Sequence, residues 1–440
     1  MKRTIIAAFA VCMAFTMCSC GNIGQPDPNT ITKKDGVEDI SYPSLFDDDS
    51  TTPDDSSQDE IEEYSPEEDP EKFIKATIEG MTLEEKVGQL FIVRADALET
   101  GYESKVVNDD TIGGVTFVDN MMVKALGKYN VGGVVLKEKN IIDENKLRDM
   151  TVKLQDRSKY PLFIGIDEIG GDHAPIANNI NFDVPLFENM NVVGDLGDAG
   201  NARKLGKSIG NYLVSYGLNL DLAPVADVSE DAEDVSPINF SADPYMVASM
   251  AEAEINGLHE SGVMTAIGHF PGYGDDDIES KTVPSNDLDW ESVMENSGVA
   301  FKRSLEKTDM LMVGHILLPS VTDDDLPASM SKLVIEEKIR DELGYKGVII
   351  TDAMSAKCIT YNYIRSECAV NAIIAGADIV LMPYDLDDSF NAVLKAVEDG
   401  KISESRIDKS VERILALKVK RGLFDDDSPD DESSKEDNKE

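Results

Sequence analysis

Short apolar runs alternate with amphipathic stretches along most of the chain. Eight runs of four to seven residues are almost entirely apolar: Leu90–Val93, Val131–Leu136, Leu162–Ile166, Leu218–Pro224, Val263–Ile267, Met310–His315, Gly347–Thr351 and Asp378–Met382. Runs without polar alternation are typical of strands that are covered on both faces, as in a parallel sheet. The pattern therefore predicts eight buried parallel strands.

Segments with helical periodicity separate these runs. They include Asn145–Arg157, Ala202–Tyr216, Asp243–Ser261, Trp290–Lys307 and Leu333–Leu343. A last helix is predicted over Ser403–Lys420, because a serine opens it and Arg421-Gly422 follows it. Regular strand–helix alternation predicts an α/β protein, a single-domain TIM (β/α)8 barrel. An open doubly wound sheet is the competing fold, but Val93-Arg94-Ala95-Asp96 lacks the glycines that dinucleotide binding requires.

Charge is distributed unevenly along the 440 residues. The chain holds 85 acidic and 41 basic residues, a net charge of −44. Residues 21–70 carry −14 and residues 425–440 carry −7, whereas the body, residues 71–424, carries −25. Both flanks are poor in apolar residues, so we expect a disordered acidic linker and a disordered acidic tail. The negative charge disfavours nucleic acids and anionic membrane surfaces as partners.

The first twenty residues have the organisation of a secretory signal. Lys2-Arg3 precedes an apolar run, Ile5–Met17, which is shorter than the ~20 residues of a membrane-spanning helix. Ser19-Cys20-Gly21 then resembles a bacterial lipobox. We therefore expect a lipoprotein signal peptide over residues 1–20, with lipid attachment at Cys20 holding the protein on the extracellular face of the cell membrane. An ordinary cleaved signal is the alternative.

Polar residues follow several of the predicted strands, where the chemistry of barrel enzymes takes place. They are Asp167 and Glu168 after the third run, Asp227 after the fourth, His269 after the fifth, His315 at the end of the sixth and Asp352 after the seventh. Converging carboxylates suggest glycoside hydrolysis, in which one carboxylate attacks the sugar and a second group protonates the leaving oxygen. Asp352 is the best nucleophile candidate because it directly follows a buried run.

Each of these assignments has a structural alternative. Asp352 could cap the helix that follows it. Asp167 could bond the Gly170-Gly171 turn, and His269 could be a hydrogen-bonded core histidine. The pattern alone leaves these alternatives open.

Longer sequence segments further support the interpretation as a glycoside hydrolase. They are Asn219–Val228, His269-Phe270-Pro271-Gly272-x-Gly274-Asp275, Leu326–Ser331 with Leu343–Met354, and Ala375–Pro383. They resemble strand four, the signature after strand five, the nucleophile segment and strand eight of the N-terminal barrel of glycoside hydrolase family 3. The resemblance is to its single-domain β-N-acetylglucosaminidases (β-N-acetylhexosaminidases) in particular, and it runs from about Leu83 to Phe424.

The resemblance implies a retaining hydrolase of β-linked sugars that forms a glycosyl-enzyme on Asp352. By the same match Asp167 would bind sugar hydroxyls and His269 would contact the glycan, with Asp227 and Met354 as further substrate-binding candidates. The expected partner is a carbohydrate. No cofactor and no metal ion are expected, and the protein is expected to be a monomer.

Several positions depart from the family pattern. The lysine before the motif histidine is Gly268, and the next motif histidine is Tyr273. The Asp-Ser-His triplet of the mobile acid/base loop is Glu279-Ser280-Lys281. Two arginines that grip the sugar correspond to Ile238 and Asp172. The motifs that shape the backbone are therefore kept, while several that hold or protonate the sugar are changed.

These changes leave two hypotheses. An unperturbed lysine has a pKa of ~10.4 against ~6.5 for histidine, so Lys281 is a poor proton donor at neutral pH. Glu279 could serve as the acid if burial and its neighbours Asp275–Asp277 favoured its protonated form. The first hypothesis is a surface hydrolase with an altered acid/base loop. The second is a catalytically impaired family member that binds glycans or acts as a scaffold. The segment 98–118 remains unassigned, as a lid or an edge insertion.

Overall fold

In the computed structural model, which describes residues 64–425, eight short strands lie side by side in parallel. They are β1 (Phe91–Arg94), β2 (Gly133–Val135), β3 (Phe163–Ile166), β4 (Leu220–Asp221), β5 (Met264–Phe270), β6 (Met310–Val313), β7 (Val348–Thr351) and β8 (Val380–Leu381). The strand order is β7-β6-β5-β4-β3-β2-β1-β8, and a parallel bridge between Ile350 and Ile379 brings β7 beside the start of β8. The predicted TIM barrel is confirmed. Cys20, most of the acidic linker and nearly all of the acidic tail lie outside the described residues.

Helices surround the barrel. They are α1 (Pro70–Gly80), α2 (Leu83–Gln89), α3 (Ser104–Val107), α4 (Asn120–Tyr129), α5 (Glu144–Asp156), α6 (Met190–Asp195), α7 (Ala199–Ser215), α8 (Pro244–Glu260), α9 (Trp290–Glu295), α10 (Gly298–Ser304), α11 (Lys357–Thr360), α12 (Arg365–Ala375), α13 (Leu386–Glu398) and α14 (Glu404–Lys420). A π-helical segment, Leu333–Glu342, precedes β7. Between residues 64 and 425, no helix combines the length and apolar character needed to cross a membrane.

Polar side chains cap the starts of several helices. Thr82 and Glu85 form a reciprocal capping box at α2, in which each side chain accepts the other's backbone N–H. Asp243 caps α8, whose first residue is Pro244. Ser403 caps α14, so the predicted start of the last helix is confirmed.

The structure corrects several predicted elements, including strand β8, which is two residues long instead of the predicted five. The predicted helix over residues 290–307 is two helices, α9 and α10, because Asn296 between them has non-helical φ and ψ of −106° and −102°. Strand β4 is two residues long instead of the predicted seven. One reason is that Pro224 lacks the N–H that would extend the ladder.

Buried ion pairs close the amino end of the barrel. Asp378, just before β8, accepts from Arg340 at 2.6 Å and from Arg413 at 2.7 Å. Asp309, just before β6, binds Arg421 at 2.6 Å. Each of these two carboxylates therefore has a direct cationic partner.

The unassigned segment after β1, residues 98–118, is tied to its surroundings on two sides. The Lys139 ammonium donates to the carbonyl of Val107 at 2.8 Å. On the other side, the amide of Asn108 donates to the carbonyl of Tyr384 at 2.8 Å. The segment therefore spans the loops after β2 and β8 as a fixed wall of the barrel mouth.

Candidate active site

Asp352 lies immediately after β7 at the carboxyl end of the barrel and is 5% exposed. The Tyr273 hydroxyl donates to Oδ2 at 2.8 Å, and the Ala353 N–H donates to Oδ1 at 2.6 Å. Burial alone would raise the pKa of Asp352, but the nearby His269 and these hydrogen bonds outweigh it and lower the pKa. The structure therefore holds an ionised and oriented carboxylate at the barrel mouth.

His269 is the second-last residue of β5, and its ring Nδ1 lies 2.7 Å from Asp227 Oδ2. Within residues 64–425, no hydrogen-bond partner is present at Nε2, and the side chain is 18% exposed. Burial alone would lower the pKa of His269, but the charges of Asp227, Asp352 and Asp167 raise it to about 9. The ring is therefore a cation at neutral pH, with one N–H available to a ligand.

Asp227 orients the turn after β5 as well as the histidine. Its Oδ1 accepts the backbone N–H of Tyr273 at 2.8 Å. Asp227 lies six residues beyond β4, and the chain just before it still runs beside β5 through the bridge Val225–Gly268. Asp227 thus couples the position of the histidine to that of Tyr273.

Asp167 follows β3 and pairs with Lys137, which follows β2. The Lys137 ammonium lies 2.6 Å from Asp167 Oδ2, and both side chains are partly exposed at the mouth. The pair replaces the turn contact that was the structural alternative for Asp167. The charge of Asp167 also raises the pKa of His269. The mouth therefore combines the positive side chains of Lys137 and His269 with the negative side chains of Asp167 and Asp352.

Two residues to which the sequence assigned no role in the site support these groups. Glu168 is fully buried and accepts the backbone N–H groups of Ile176 and Ala177, both at 2.9 Å, and burial raises its pKa to about 7. It fixes the loop after β3. Lys137 carried no signal in its local sequence, because its partner lies thirty residues further along the chain.

Tyr273 and His315 form the support beneath Asp352. The Tyr273 hydroxyl accepts the N–H of His315. His315 Nε2 lies 3.0 Å from the Ala353 carbonyl, which can only accept, so Nε2 carries the proton and Nδ1 accepts from the Ser329 hydroxyl at 2.8 Å. Burial lowers the pKa of His315, so this ring is neutral. Tyr273 stands where the predicted motif has a histidine, and its phenol donates a hydrogen bond to the Asp352 carboxylate.

The loop after β5 turns away from the strand through glycines. Gly272 has a φ of +125°, and a Cβ there would meet the Ser297 side chain at 2.6 Å. Further along, Asp275 Oδ2 accepts the backbone N–H of Glu230 at 2.8 Å. The first half of the loop is therefore anchored to the segment after β4.

The two acid/base candidates lie in the second half of this loop. Glu279 pairs with Lys357 at 3.2 Å, with 57% and 53% of the side chains exposed. The Lys281 ammonium lies 4.5 Å from the centre of the Tyr361 ring. Both contacts lead to the loop and helix after β7, and no contact from either candidate to Asp352 occurs in the described part of the chain.

The buried Cys358 interacts both with the loop that carries Glu279 and with the nucleophile candidate, Asp352. The Cys358 N–H donates to the Ile278 carbonyl at 3.1 Å, which ties the acid/base loop to α11. Burial, together with the charges of Asp352 and Glu279, raises the pKa of the Cys358 thiol to about 12. The two carboxylates therefore both lie within electrostatic range of one buried thiol.

The remaining predictions concern Asp352 as a helix cap, Met354 as a substrate-binding residue and metal binding. Asp352 does not cap a helix, since α11 starts at Lys357 without a side-chain cap. Met354, a predicted substrate-binding residue, is 3% exposed and packs in the hydrophobic core. Throughout residues 64–425, no group of three His, Cys, Asp or Glu side chains is arranged to hold a metal ion.

The barrel and its carboxylate site define a protein of the glycoside hydrolase type. The chain belongs to the glycosyl hydrolase family 3 N-terminal domain family, whose model matches residues 82–417. This match confirms the family that the sequence motifs indicate.

Curated relatives carry related names. The chain is 28% identical to β-hexosaminidase A of Pseudoalteromonas piscicida over 349 residues, which cover 72% of this chain and 58% of the relative. It is 26% identical to the β-N-acetylglucosaminidase/β-glucosidase of Cellulomonas fimi over 82% of this chain and 61% of the relative. The chain thus spans about three fifths of the length of these two relatives.

A solved structure gives the same assignment. The glycoside hydrolase family 3 β-N-acetylglucosaminidase of Paenibacillus sp. FPU-7 superposes with a TM-score of 0.70 at 31% identity, over 78% of this chain and 63% of that one. LpqI of M tuberculosis superposes with a TM-score of 0.66 over 78% of this chain and 96% of its own, and at 22% identity this likeness supports the fold alone.

Proposed function

We propose that the protein is a retaining glycoside hydrolase of the β-N-acetylhexosaminidase type. The observation that carries the proposal is the buried Asp352 carboxylate at the barrel mouth, kept ionised near His269 and oriented by Tyr273. A carboxylate nucleophile must be ionised and aimed at the anomeric carbon. The substrate class is supported by the names of the relatives, which are hexosaminidases and N-acetylglucosaminidases.

In the proposed reaction Asp352 attacks the anomeric carbon while the bond to the leaving oxygen breaks. Glu279 gives its proton to that oxygen, and in the second step it takes a proton from the water that hydrolyses the glycosyl-enzyme. His269 donates its Nε2–H to a sugar hydroxyl, and Asp167 accepts from another.

Glu279 is a better acid/base candidate than Lys281 in this structure. An exposed ion pair such as Glu279–Lys357 contributes only ~0–1 kcal/mol, so Glu279 can leave Lys357 at little cost. Lys281 instead rests on the Tyr361 ring, and lysine donates a proton poorly at neutral pH. In the observed position Glu279 is exposed and paired with a lysine, which favours its ionised form. Movement of the loop after β5 would take Glu279 away from Lys357 and bring it to the leaving oxygen, where burial would favour its protonated form.

The second candidate function is a catalytically impaired protein that binds glycans or acts as a scaffold. The specific observation in its favour is that Glu279 and Lys281 contact Lys357 and Tyr361 instead of Asp352. In that case Asp167, His269 and Asp227 would still bind sugar, but no group would protonate the leaving oxygen.

Trapping of the glycosyl-enzyme separates the two functions. An activated, ring-fluorinated N-acetylglucosaminide reacts with a retaining nucleophile and is released slowly, so mass spectrometry should find the adduct on the peptide that contains Asp352. Full-length protein that gains no mass, and hydrolyses an aryl N-acetylglucosaminide no faster than its Asp352→Asn variant, would exclude the hydrolase.

The role of Glu279 is tested by comparing substrates with poor and good leaving groups. Glu279→Gln should slow hydrolysis of an N-acetylglucosamine disaccharide by ~10²-fold or more, and slow that of an aryl substrate with a good leaving group much less. Lys281→Met is the matched control, for which we expect no such dependence on the leaving group. The reverse pattern would assign the acid to Lys281.

We also propose that the protein is a lipid-anchored surface protein, attached through Cys20 with residues 21–70 as spacer. The lipobox-like Ser19-Cys20-Gly21 supports this location. In a bacterial host, the full chain should incorporate labelled fatty acid and fractionate with membranes, whereas Cys20→Ala should do neither. Equal labelling of both would disprove attachment at Cys20.

A further inference from the structure

We propose that a cavity at the amino end of the barrel is the docking site of the acidic tail, residues 426–440, which binds back onto it through exchanging ion pairs. The cavity has a volume of about 450 Å³ and lies between the turns that precede β6 and β7 and one face of α14. Asp352 and His269 lie at the opposite, carboxyl ends of their strands. The inference therefore does not depend on the proposed hydrolase activity.

The helix from which the tail extends forms one wall of the cavity. Four residues of α14 line it, namely Arg413, Ala416, Leu417 and Lys420. Positions separated by three, four and seven residues share one face of a helix. This face is ~10 Å long at a rise of 1.5 Å per residue, whereas the fifteen residues 426–440 can extend to ~50 Å. The tail, which begins six residues after Lys420, can therefore reach every part of the cavity.

The cavity lining presents cationic groups that can take a further partner. Lys346 and Lys420 are exposed, and between residues 64 and 425 neither ammonium has a hydrogen-bond or ion-pair partner. Arg413 uses Nε and Nη2 to bind Asp378 Oδ1, at 3.0 and 2.7 Å, while no residue of the described chain accepts from its Nη1. Each of these three side chains can thus donate to a carboxylate that enters the cavity.

The acids at this end of the barrel do not neutralise these cations. Of the two acids in the lining, Asp309 is bound to Arg421 at 2.6 Å, which leaves the exposed Glu306. Together with the residues that form ion pairs with it, the lining holds five basic and three acidic side chains: Lys346, Arg413, Lys420, Arg340 and Arg421, and Glu306, Asp309 and Asp378. In a body whose net charge is −25, this end therefore has a local positive excess.

The tail matches the cavity in charge and in position. Residues 425–440 contain nine acids and two lysines, a net charge of −7. A segment tethered beside its binding site has an effective concentration in the ~mM range, so weak ion pairs are enough to keep it bound. The linker, residues 21–63, is also acidic, but it joins the body before α1, which contributes no residue to the cavity. The tail is therefore the occupant that the geometry favours.

A carbodiimide cross-linker tests the contact in the full-length protein. The reagent activates a carboxylate as an O-acylisourea, a lysine amine attacks its carbonyl carbon, and a urea leaves, so an amide forms only between groups in contact. Lys75 is the control, because it is 77% exposed on α1 and lies near Phe73, which packs on Phe424 where the tail begins. Mass spectrometry should find tail peptides joined to Lys346 at least about fivefold more often than to Lys75.

Three outcomes of the cross-linking would overturn the proposal. Equal yields at Lys346 and Lys75 would show a tail that does not favour the cavity. Cross-links from Lys346 to residues 21–63 would assign the cavity to the linker. In a mixture of unlabelled and 15N-labelled protein, cross-links that join one label to the other would show that the tail binds a second copy of the chain.

Acetylation of Lys346 gives an independent measurement in which the tail is compared with the linker. A full-length variant in which the eight acids of residues 426–440 are replaced by their amides should expose Lys346, and its acetylation rate should rise about threefold or more. The matched control replaces the eight acids of residues 47–62 in the same way and should leave that rate unchanged. Lys75 should react equally in all three proteins.

Salt should reproduce the effect of the tail variant. In ~0.5 M NaCl, which screens ion pairs between exposed groups, the wild type should acetylate at Lys346 as fast as the tail variant. Protection of Lys346 that survives both high salt and loss of the tail charges would overturn the docking of the tail. Protection that is lost in the linker variant instead would assign the cavity to residues 21–63.

Discussion

Buried carboxylates at the two ends of the barrel have different hydrogen-bond and ion-pair partners. At the amino end, Asp378 binds the guanidinium groups of Arg340 and Arg413 directly. At the mouth, Asp352 has a phenol donor, Tyr273, and one backbone N–H, with a charged histidine nearby but not bonded to it. A carboxylate bound to two arginines has little capacity left for another partner. The carboxylate at the mouth is ionised yet keeps that capacity, as a nucleophile requires.

Buried cations show the same difference. His269 at the mouth is surrounded by carboxylates, which raise its pKa to about 9. Lys418 at the amino end donates to Gln89 Oε1 at 2.8 Å, and burial lowers its pKa to about 7. Both side chains are largely withdrawn from water, so their neighbours decide which of them is charged.

The largest effect should come from a change at the proposed nucleophile, Asp352. Asp352→Asn should lower kcat on an aryl N-acetylglucosaminide by ~10³-fold or more, because an amide cannot form the glycosyl-enzyme. The amide oxygen can still accept the Ala353 N–H, and the amide NH2 group can donate to the Tyr273 oxygen, so the melting temperature should change little. Steady-state kinetics and thermal unfolding measure both; a loss of stability with most activity retained would make Asp352 a structural residue.

The matched change at the other end should have the reverse outcome. Asp378→Asn leaves Arg340 and Arg413 without a carboxylate, and breaking a buried pair of this kind costs about 3–5 kcal/mol of unfolding free energy. Activity per folded molecule should be unchanged at temperatures below the transition. Denaturant unfolding measures the loss, and a variant that is stable but inactive would contradict the division between the two ends.

The two buried cations should give opposite pH dependences. Histidine has an ordinary pKa of ~6.5, so His269 stabilises the fold fully below that pH and loses this contribution as pH rises to about 9. The shift corresponds to at most ~3 kcal/mol. The difference in unfolding free energy between the wild type and His269→Gln should therefore shrink between pH 6 and pH 9.5.

Lys418→Met is the control for that measurement. A lysine whose pKa falls from ~10.4 to about 7 destabilises the fold most at low pH, and this penalty is relieved as pH rises through that interval. Relative to Lys418→Met, the wild type should gain stability with rising pH. Slopes of the same sign for both cations would show that burial, and not the neighbours, sets their charge.

The sequence was sufficient to predict the barrel and much of its mouth. Continuous apolar runs mark strands buried on both faces, and the polar residues after them must meet at one end of a parallel barrel. Asp352, His269 and Asp167 could be placed at that end for this reason. The start of the last helix was also predictable, because it depends on a single local residue, the capping Ser403.

Contacts between distant segments were not predictable. The partners Lys137 and Asp167 are 30 residues apart in the sequence, and Tyr273 and Asp352 are 79 apart. The direction of the Glu279 side chain depends on how the loop after β5 packs on α11, which no local pattern specifies. Tyr273 shows the limit most clearly, because the sequence presents it only as a missing histidine.

The smallest effect that we predict concerns this tyrosine and its counterpart at the amino end. Tyr273→Phe removes the phenol that donates to the Asp352 carboxylate, and a hydrogen bond to a charged group contributes ~1.5–3 kcal/mol. We expect kcat to fall about tenfold to a hundredfold on an aryl N-acetylglucosaminide. Tyr345→Phe is equally buried but donates only weakly to the carbonyls of Asp309 and Val348, both at 3.3 Å, so it should lower stability by about 1 kcal/mol and leave kcat unchanged. If both substitutions affected kcat alike, the phenol at the mouth would have no special role in orienting the carboxylate.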